Sequence, residues 1–419
     1  MPEAAFDLRY GKSSVRVTAP RDSIMRILLP TEPELPGDEG AELERALNRP
    51  IGAPPIEETA KPGQKVVIMV SDMTRPSPSY KLLPPLLRRL KSPGLKESDV
   101  TIVFGMGIHR HMTAGEKRAL LGDDVFDRYR CVESTESGEY VHLGQTTRGT
   151  PIEVCPDVAS CDLLICTGNI EYHYFAGYSG GVKAVLPGAC SQHTVEANHA
   201  MQLLPGAEAG SYDANPVRQD MEEAGKIIGV DFILNVVLDE KKNIVKAVAG
   251  DPVEALAAGR KVVDGLYGIS IEKEADIVLV SAGGRPKDVN VYQAQKALEN
   301  ATRAVRQGGV VVLLAECPEG LGEKNFEEYM TGYPLDEIIE RIRKRFVLGG
   351  HKAAAIARTL KKADIYLASA VDPDLARACK MVPFGSPQEA LDAAFAKCGE
   401  GSSVLVMPFG GSTVPFVKK

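Results

Sequence analysis

The spacing of apolar and polar positions predicts two kinds of element along this chain. Residues 4–30 alternate apolar and polar side chains on either side of a turn at 10–12, which predicts a β-hairpin and a following strand. From residue 65 onward, short unbroken apolar runs are separated by segments with helical spacing. Unbroken apolar strands that alternate with helices are typical of a parallel sheet buried on both faces. The pattern therefore predicts an α/β fold with mainly parallel sheets.

The alternation occurs in two series, which predicts two α/β domains. In the first series the predicted strands are 65–70, 99–104, 162–167, 231–238 and 244–249, and the predicted helices are 80–91, 113–121, 216–227 and 251–265. In the second series the strands are 275–281, 309–316, 364–370 and 403–407, and the helices are 291–305, 335–344, 351–362 and 387–398. The pattern of residues 131–154 predicts a small antiparallel segment outside this alternation. We therefore predict domains at 1–269 and 270–411, and expect the tail 412–419 to pack back on the first domain.

Composition narrows the class of protein. The chain has 419 residues, of which 44% are hydrophobic and 25% charged, as in a globular protein. Its net charge is -7 and no block of Lys and Arg stands out, which argues against a nucleic-acid partner. The 8 cysteines form no C-x-x-C pair, which disfavours disulfides and thiolate zinc sites. We predict no signal peptide, no membrane partner and a cytoplasmic location, because no apolar run is long enough.

Polar residues follow three of the predicted strands in the first domain. Asp72 and Arg75 follow strand 65–70, His109 follows strand 99–104, and the stretch 168–199 follows strand 162–167. Ligands of open α/β sheets bind outside the carboxyl ends of the strands. The sequence therefore predicts a site where these three strand ends meet.

Two histidines stand out among the seven. His109 and His173 each lie on a loop after an apolar strand, where polar residues are often functional. Two imidazoles at one site suit a general acid and a general base. Metal ligation is the competing interpretation, because neutral imidazole is also the commonest metal ligand. Ordinary surface or core roles are expected for His111, His142 and His193.

A glycine cluster precedes Lys183. Gly177, Gly180 and Gly181 predict backbone N–H groups at a helix start that could hold a phosphate. The segment is no Walker A loop, because Ala184 occupies the position of the magnesium-binding Ser or Thr. A lysine in so apolar a segment should have a desolvated amine, which is how lysines become nucleophiles or covalent anchors.

A second polar group opens a predicted helix of the second domain. Tyr292 and Gln293 lie four and three positions before Lys296, so the three side chains share one helix face. That face is either solvated or turned to a cleft. Arg75 and Lys296 would each suit an anionic group, one as a bidentate fork and the other as a point charge.

Together these segments resemble the nickel-pincer lactate racemase family, and the resemblance spans nearly the whole chain. The residues that carry it are Asp72-x-x-Arg75, Gly107-Ile-His109-Arg110, His173, Gly180-Gly181-Val-Lys183, Pro187-Gly188, Asn198-His199 and Tyr292-Gln293-x-x-Lys296. The resemblance implies a racemase or epimerase of 2-hydroxy acids whose site lies between two α/β domains.

The resemblance also implies roles for these residues. In the family, a pyridinium mononucleotide made by accessory maturation enzymes is tethered by a thioamide to a lysine that matches Lys183. Its nickel takes one protein ligand, matching His199, and the two acid/base histidines match His109 and His173. Hydride passes from the substrate carbon to the cofactor and back. Further cofactor contacts are expected from Asp72, Arg75, Gly180, Gly181 and Tyr292, and substrate contacts from Arg75, Gln293, Lys296 and His351.

One departure from the family concerns the substrate. Lactate racemases carry a Trp that lines the small substrate pocket, whereas this chain has no Trp and places Gly349-Gly350-His351 near that position. His351, Lys352 and Arg110 could meet a second carboxylate or several hydroxyls. We therefore expect a substrate larger or more polar than lactate, such as malate or a sugar acid.

Two alternatives use the same residues. A metal-dependent hydrolase could bind its ion through His109, His111, His173 and His199, but it lacks an H-E-x-x-H pattern and leaves Lys183 without a role. A non-catalytic phosphate or nucleotide binder could use the Gly180-Gly181 turn, but it would not need two histidines at strand ends.

Overall fold

Two six-stranded sheets carry the fold, each in its own part of the chain. The computed structural model describes residues 2–107 and 109–418. One compact unit, Glu32–Gly265, is called the central unit below. The other, Met1–Thr31 with Leu266–Lys419, is called the terminal unit. None of the helices in the described residues is long and apolar enough to cross a membrane.

The elements of the described residues alternate much as the apolar pattern predicts. The strands are β1 (Glu3–Tyr10), β2 (Ser13–Pro20), β3 (Ile24–Ile27), β4 (Val66–Ser71), β5 (Val100–Gly105), β6 (Arg130–Glu133), β7 (Val141–Gln145), β8 (Pro151–Val154), β9 (Leu163–Asn169), β10 (Tyr172–His173), β11 (Gly177–Tyr178), β12 (Phe232–Leu238), β13 (Ile244–Gly250), β14 (Gly268–Ile271), β15 (Ala275–Ser281), β16 (Val305–Leu314), β17 (Asp364–Ala368), β18 (Val382–Phe384), β19 (Val404–Met407) and β20 (Val414–Val417). The helices are α1 (Glu39–Asn48), α2 (Ile56–Thr59), α3 (Ser79–Lys91), α4 (Ala114–Leu121), α5 (Asp123–Arg128), α6 (Pro156–Ala159), α7 (Gln192–Ala200), α8 (Pro216–Ile228), α9 (Pro252–Tyr267), α10 (Val291–Thr302), α11 (Lys324–Gly332), α12 (Leu335–Lys344), α13 (Gly350–Lys362), α14 (Pro373–Ala378) and α15 (Pro387–Cys398).

The sheet of the central unit confirms the predicted parallel architecture. Its order is β13-β12-β9-β4-β5-β6, and every neighbouring pair is parallel except the hairpin of β12 and β13. All residues of β9 are buried, as are the first five of β4, because helices cover both faces. Since β4 pairs with both β5 and β9, the carboxyl ends of these three strands lie side by side at one edge of the sheet.

The sheet of the terminal unit is parallel throughout, in the order β18-β17-β16-β15-β19-β3. The antiparallel hairpin of β1 and β2 buries alternate side chains in the same apolar cluster as the strands of this sheet. These side chains are Phe6, Leu8, Val17 and Ala19. The alternation in residues 4–30 thus reflects strands with one buried face.

Two parts of the chain differ from the prediction. Within residues 131–154, β7 and β8 do form an antiparallel pair, but the preceding β6 is parallel to β5 and extends the main sheet. An edge strand is only half covered, so its polar positions resemble those of an antiparallel hairpin. The short elements α11, α14 and β18 carry too few periodic positions to be predicted.

The structure also groups the chain differently from the predicted domain 1–269. Strand β3 pairs with β19, which places residues up to Thr31 in the terminal unit. The tail 412–419 includes β20, which pairs with β14 across the predicted boundary at 269/270, and both strands belong to the terminal unit. Alternation of polarity shows that a strand has one buried face, but it does not identify the sheet that the strand joins.

Two helical glycines of the central unit give a matched test of its packing. A Cβ on Gly225 in α8 would lie 2.4 Å from Val182 Cγ1, whereas a Cβ on Gly265 in α9 meets nothing within 4 Å. We expect Gly225→Ala to lower the free energy of unfolding by about 1–3 kcal/mol through overpacking. Gly265→Ala should raise it by about 0.5–1 kcal/mol, because alanine loses less backbone entropy in a helix. Urea unfolding followed by circular dichroism measures both, and equal effects would contradict the packing.

Candidate active site

The turn after β4 is shaped by the side chain of Asp72. Its Oδ1 accepts hydrogen bonds from the backbone N–H of Thr74 at 2.8 Å and from the Thr74 hydroxyl at 2.6 Å. The backbone N–H of Arg75 donates to the carbonyl oxygen of Asp72 at 3.2 Å. The carboxylate therefore closes the turn from which Arg75 extends.

The second carboxylate oxygen of Asp72 contacts His109 Nδ1. Burial raises the pKa of Asp72, but the hydrogen bonds from His109 and Thr74 outweigh it and hold the pKa below its usual value. Because an ionised carboxylate only accepts hydrogen bonds, His109 Nδ1 carries the proton. His109 Nε2 then keeps its lone pair on a ring that is 36% exposed, which suits a general base.

His173 has the opposite arrangement. Its Nδ1 accepts a hydrogen bond from the backbone N–H of Ala176 at 3.2 Å, so the proton of the neutral ring is assigned to Nε2. Burial lowers the pKa of His173 well below its usual value, and the nearby charge of Arg75 lowers it further. His173 is therefore a neutral hydrogen-bond donor through Nε2.

The glycine cluster forms a tight turn rather than the predicted start of an α-helix. Gly180 and Gly181 have φ angles of 79° and 62°, and Gly181–Ala184 is a single 3₁₀ turn. The N–H of Gly181 donates to Asn235 Oδ1 at 2.7 Å, so the fold already uses one N–H of the predicted phosphate cradle. The turn serves to fix the backbone at Lys183.

The amine of Lys183 has the chemistry expected of a covalent anchor. Burial lowers its pKa well below the usual value, and the nearby charges of Arg75 and Arg218 lower it further. The side chain is partly exposed, and in the described residues its amine has no hydrogen-bond or ion-pair partner. An unprotonated amine is a nucleophile.

His199 lies on α7 with only 8% of its surface exposed. The ring of Phe175 stands edge-on to both His173 and His199, with centroid distances of 4.6 Å and 4.9 Å. His199 Nδ1 lies 3.1 Å from Asn198 Oδ1. Within the central unit the structure therefore brings His173, Lys183 and His199 into one cluster.

Arg218 belongs to this cluster and is missing from the sequence prediction. Its side chain is fully buried and donates to the backbone carbonyl oxygens of Ala176 at 3.3 Å, Gly180 at 3.5 Å and Tyr178. An arginine in the first turn of a helix looks solvated in sequence, because nothing near it predicts the loop that it binds. No signal in the chain could have identified it.

The other predicted residues lie in the terminal unit. Lys352 Nζ donates to the backbone carbonyl oxygen of Tyr292 at 2.6 Å and lies 3.8 Å from the centroid of that ring. His351 is buried, and burial followed by the charge of Lys352 lowers its pKa to about 3, so the ring is neutral. Gln293 is partly exposed and Lys296 is exposed on the same helix, α10.

Arg110, in the central unit, pairs with Glu116 through two hydrogen bonds of 2.7 Å and 3.0 Å. Its charge is therefore already matched. In the two described segments of the chain, no group of three or more His, Cys, Asp or Glu side chains is arranged to hold a metal ion. The hydrolase alternative required such a group.

The sequence matches two family profiles that together cover most of the chain. Residues 10–210 match the lactate racemase N-terminal domain, and residues 271–414 match the lactate racemase C-terminal domain. The chain is 34% identical over 378 residues to the lactate racemase of Lactiplantibacillus plantarum, covering 88% of this chain and 89% of that protein. It is 32% identical over 423 residues to the lactate racemase of Thermoanaerobacterium thermosaccharolyticum, covering 98% and 99% of the two chains.

Solved structures agree with this similarity. The lactate racemase apoprotein from Thermoanaerobacterium thermosaccharolyticum superposes with a TM-score of 0.92 at 32% identity, covering 99% of this chain and 100% of that chain. A protein from Thermotoga maritima, 19% identical with a TM-score of 0.65, covers 93% of this chain and 100% of its own and shares the fold alone.

Acylation reports the protonation state of the Lys183 amine directly. Because only a neutral amine is nucleophilic and its pKa is lowered, Lys183 should react with an acetyl ester at lower pH than the exposed lysines. Arg75→Gln removes a positive charge that lowers this pKa, so the acylation curve should move to higher pH. Peptide mass spectrometry across a pH series gives the curve.

Arg118→Gln is the matched control, because Arg118 pairs with Asp123 and Asp127 on the surface. It should leave the curve of Lys183 in place. A Lys183 curve that coincides with those of exposed lysines would contradict the lowered pKa.

Proposed function

This chain belongs to the lactate racemase family, and from that membership we propose that it inverts C2 of a 2-hydroxy acid with a nickel-pincer nucleotide tethered to Lys183. The coarser statement, that the chain is an isomerase of the racemase type, follows from the family itself. The cofactor, the acid/base residues and the substrate are the proposed parts. The maturation enzymes and the cytoplasmic location stay predictions.

The observation that carries this proposal is the amine of Lys183. A covalent tether needs an unprotonated amine that a carboxyl-derived group of the cofactor can reach. Lys183 combines a strongly lowered pKa with partial exposure, at the end of a turn that the fold holds tightly. The neighbouring Arg75, whose guanidinium has no hydrogen-bond partner among the described residues, suits the phosphate of a nucleotide or the carboxylate of a substrate.

The donor set also fits this cofactor. A nickel ion whose other donors come from the pincer group needs only one protein ligand, and His199 is the candidate. When bound, the nickel-pincer nucleotide supplies an acceptor for the hydride at C2 of the substrate. We propose that the cofactor contacts are made by Lys183, His199, Asp72, Arg75, Gly180, Gly181 and Tyr292.

The two acid/base histidines have different resting states. His109 Nε2 has a lone pair and can take the proton of the 2-hydroxyl, while Asp72 stabilises the imidazolium that forms. His173 offers an Nε2–H that can hydrogen-bond the substrate oxygen. A racemase works in both directions, so each histidine has to serve either role, and at rest the geometry favours His109 as the base.

The substrate is the least constrained part of the proposal. The chain has no Trp, and the position expected for it carries Gly349-Gly350-His351. In the terminal unit His351 and Lys352 are buried next to Tyr292, which places two polar side chains at this position. Arg110 is less available to bind a substrate carboxylate than expected, because Glu116 already pairs with it. We propose that substrate contacts come from Arg75, Gln293, Lys296 and His351, and that the substrate is larger or more polar than lactate.

Intact mass tests the tether. Protein co-expressed with the maturation enzymes should carry a covalent adduct of several hundred daltons on Lys183, and Lys183→Ala should lose it. An unmodified Lys183 in such protein would overturn the proposed cofactor.

Two further variants separate the tether from the acid/base roles. His109→Gln and His173→Gln should keep the adduct but lower racemisation by about 10²–10⁴, because each removes a proton-transfer group. Loss of the adduct in these variants would instead assign the histidines to cofactor attachment.

A substrate panel tests the polar pocket. We expect loaded enzyme to racemise D-malate or a D-sugar acid with a higher kcat/KM than D-lactate, measured by chiral chromatography. His351→Ala should lower kcat/KM for the polar substrates more than for lactate. High activity restricted to lactate would contradict the proposed pocket.

A further inference from the structure

Behind His199 lies a chain of fully buried polar side chains that no role assigned above explains. Asn198 and Asp220 are both 0% exposed, although neither is apolar. The Asn198 amide nitrogen donates to Asp220 Oδ2 at 2.8 Å and to the backbone carbonyl oxygen of Val217 at 3.2 Å. Buried polar groups of this kind are costly unless every partner is satisfied, so their arrangement is strongly determined.

Asp220 is itself anchored from the opposite side. Its two carboxylate oxygens accept hydrogen bonds from the hydroxyls of Thr146 at 2.6 Å and Thr150 at 2.8 Å. Both threonines lie in the loop that joins β7 to β8, whereas Asp220 lies on α8. The backbone carbonyl oxygen of Val217 can only accept a hydrogen bond, so the side of Asn198 that faces Val217 and Asp220 is the NH₂ group.

This orientation determines which ring nitrogen of His199 carries the proton. Because the Asn198 nitrogen faces Asp220 and Val217, its carbonyl oxygen faces His199 Nδ1, at 3.1 Å. A carbonyl oxygen cannot donate, so Nδ1 has to be the donor and the neutral ring keeps its lone pair on Nε2. That is the tautomer in which Nε2 can ligate a metal ion.

We propose that Asn198 and Asp220 are positioning residues that hold His199 in the Nδ1–H tautomer and so present Nε2 to the nickel of the cofactor. The tautomer follows from the buried hydrogen bonds alone. Ligation of nickel by Nε2 rests on the function proposed above. Hydrogen bonds to the second nitrogen of a ligating histidine commonly fix its ring orientation and raise its basicity.

The tautomer can be measured in apo protein, made without maturation enzymes. Long-range ¹H–¹⁵N correlation spectra of ¹⁵N-histidine-labelled protein distinguish the two neutral tautomers, and the His199→Gln variant identifies the signal of His199. We expect the His199 proton on Nδ1 in the natural sequence. A His199 proton found on Nε2 would overturn the proposal, and this measurement needs no destabilising substitution.

Variants test the cause of that tautomer. Asn198→Leu removes the acceptor and should shift the His199 population toward Nε2–H, while Asp220→Asn frees the Asn198 amide to turn and should give a mixture. Glu223→Gln is the matched control, because Glu223 binds Thr147 in the same loop from α8, at 2.7 Å, but does not contact Asn198. A His199 signal unchanged by Asn198→Leu would overturn the positioning role.

Nickel retention tests the second clause in loaded protein. We expect Asn198→Leu and Asp220→Asn to weaken nickel retention by about ten- to a hundredfold with the Lys183 adduct still present, and Glu223→Gln to leave it unchanged. Unweakened retention would overturn the nickel clause. If natural-sequence protein shows the expected tautomer but no adduct, the proposed function fails while the hydrogen-bonded orientation of His199 stands.

Discussion

The site depends on positive charge that is held where water screens it poorly. Lys183 shares its surroundings with Arg75 and Arg218, and burial is the largest cause of its lowered pKa. A desolvated amine next to like charges is more stable without its proton. The fold thus obtains a nucleophilic lysine without placing a general base beside it. His173 is kept neutral by the same cations, so one electrostatic feature controls two of the functional groups.

Arg218 joins this electrostatic effect to the geometry of the loop. Its guanidinium binds three backbone carbonyl oxygens of the segment 176–180, which leads into the Lys183 turn. That segment tolerates no side chain at Gly177, where a Cβ would lie 1.8 Å from the Ser211 carbonyl oxygen. The five donors of a planar guanidinium can bind several carbonyls at once, which a lysine ammonium cannot do in the same geometry. The charge that lowers the pKa of Lys183 therefore also holds the backbone that presents it.

The sequence predicts the part of this site that follows from strand order. Unbroken apolar runs locate β4, β5 and β9, and polar residues after each run identify Asp72, His109 and the stretch 168–199. The contribution of α8 escapes prediction, because Arg218 and Asp220 act on loops distant in the chain and share no local pattern with them. The sheet that residues 4–30 join could not be predicted, for a related reason. Their alternation predicts a hairpin and a following strand, but only the pairing of that strand, β3, with β19 decides which sheet β3 joins.

Three histidines of the central unit differ in chemistry only because different groups face their Nδ1 atoms. A buried carboxylate faces His109, a backbone N–H faces His173 and an amide oxygen faces His199. The first and third partners accept a hydrogen bond from Nδ1–H and leave Nε2 with a lone pair, while the second donates a hydrogen bond to Nδ1 and leaves Nε2 protonated. The partners come from the turn after β4, the loop after β10 and helix α7. Residue type and spacing can therefore locate these histidines, but their roles are set by neighbours that only the folded chain brings to them.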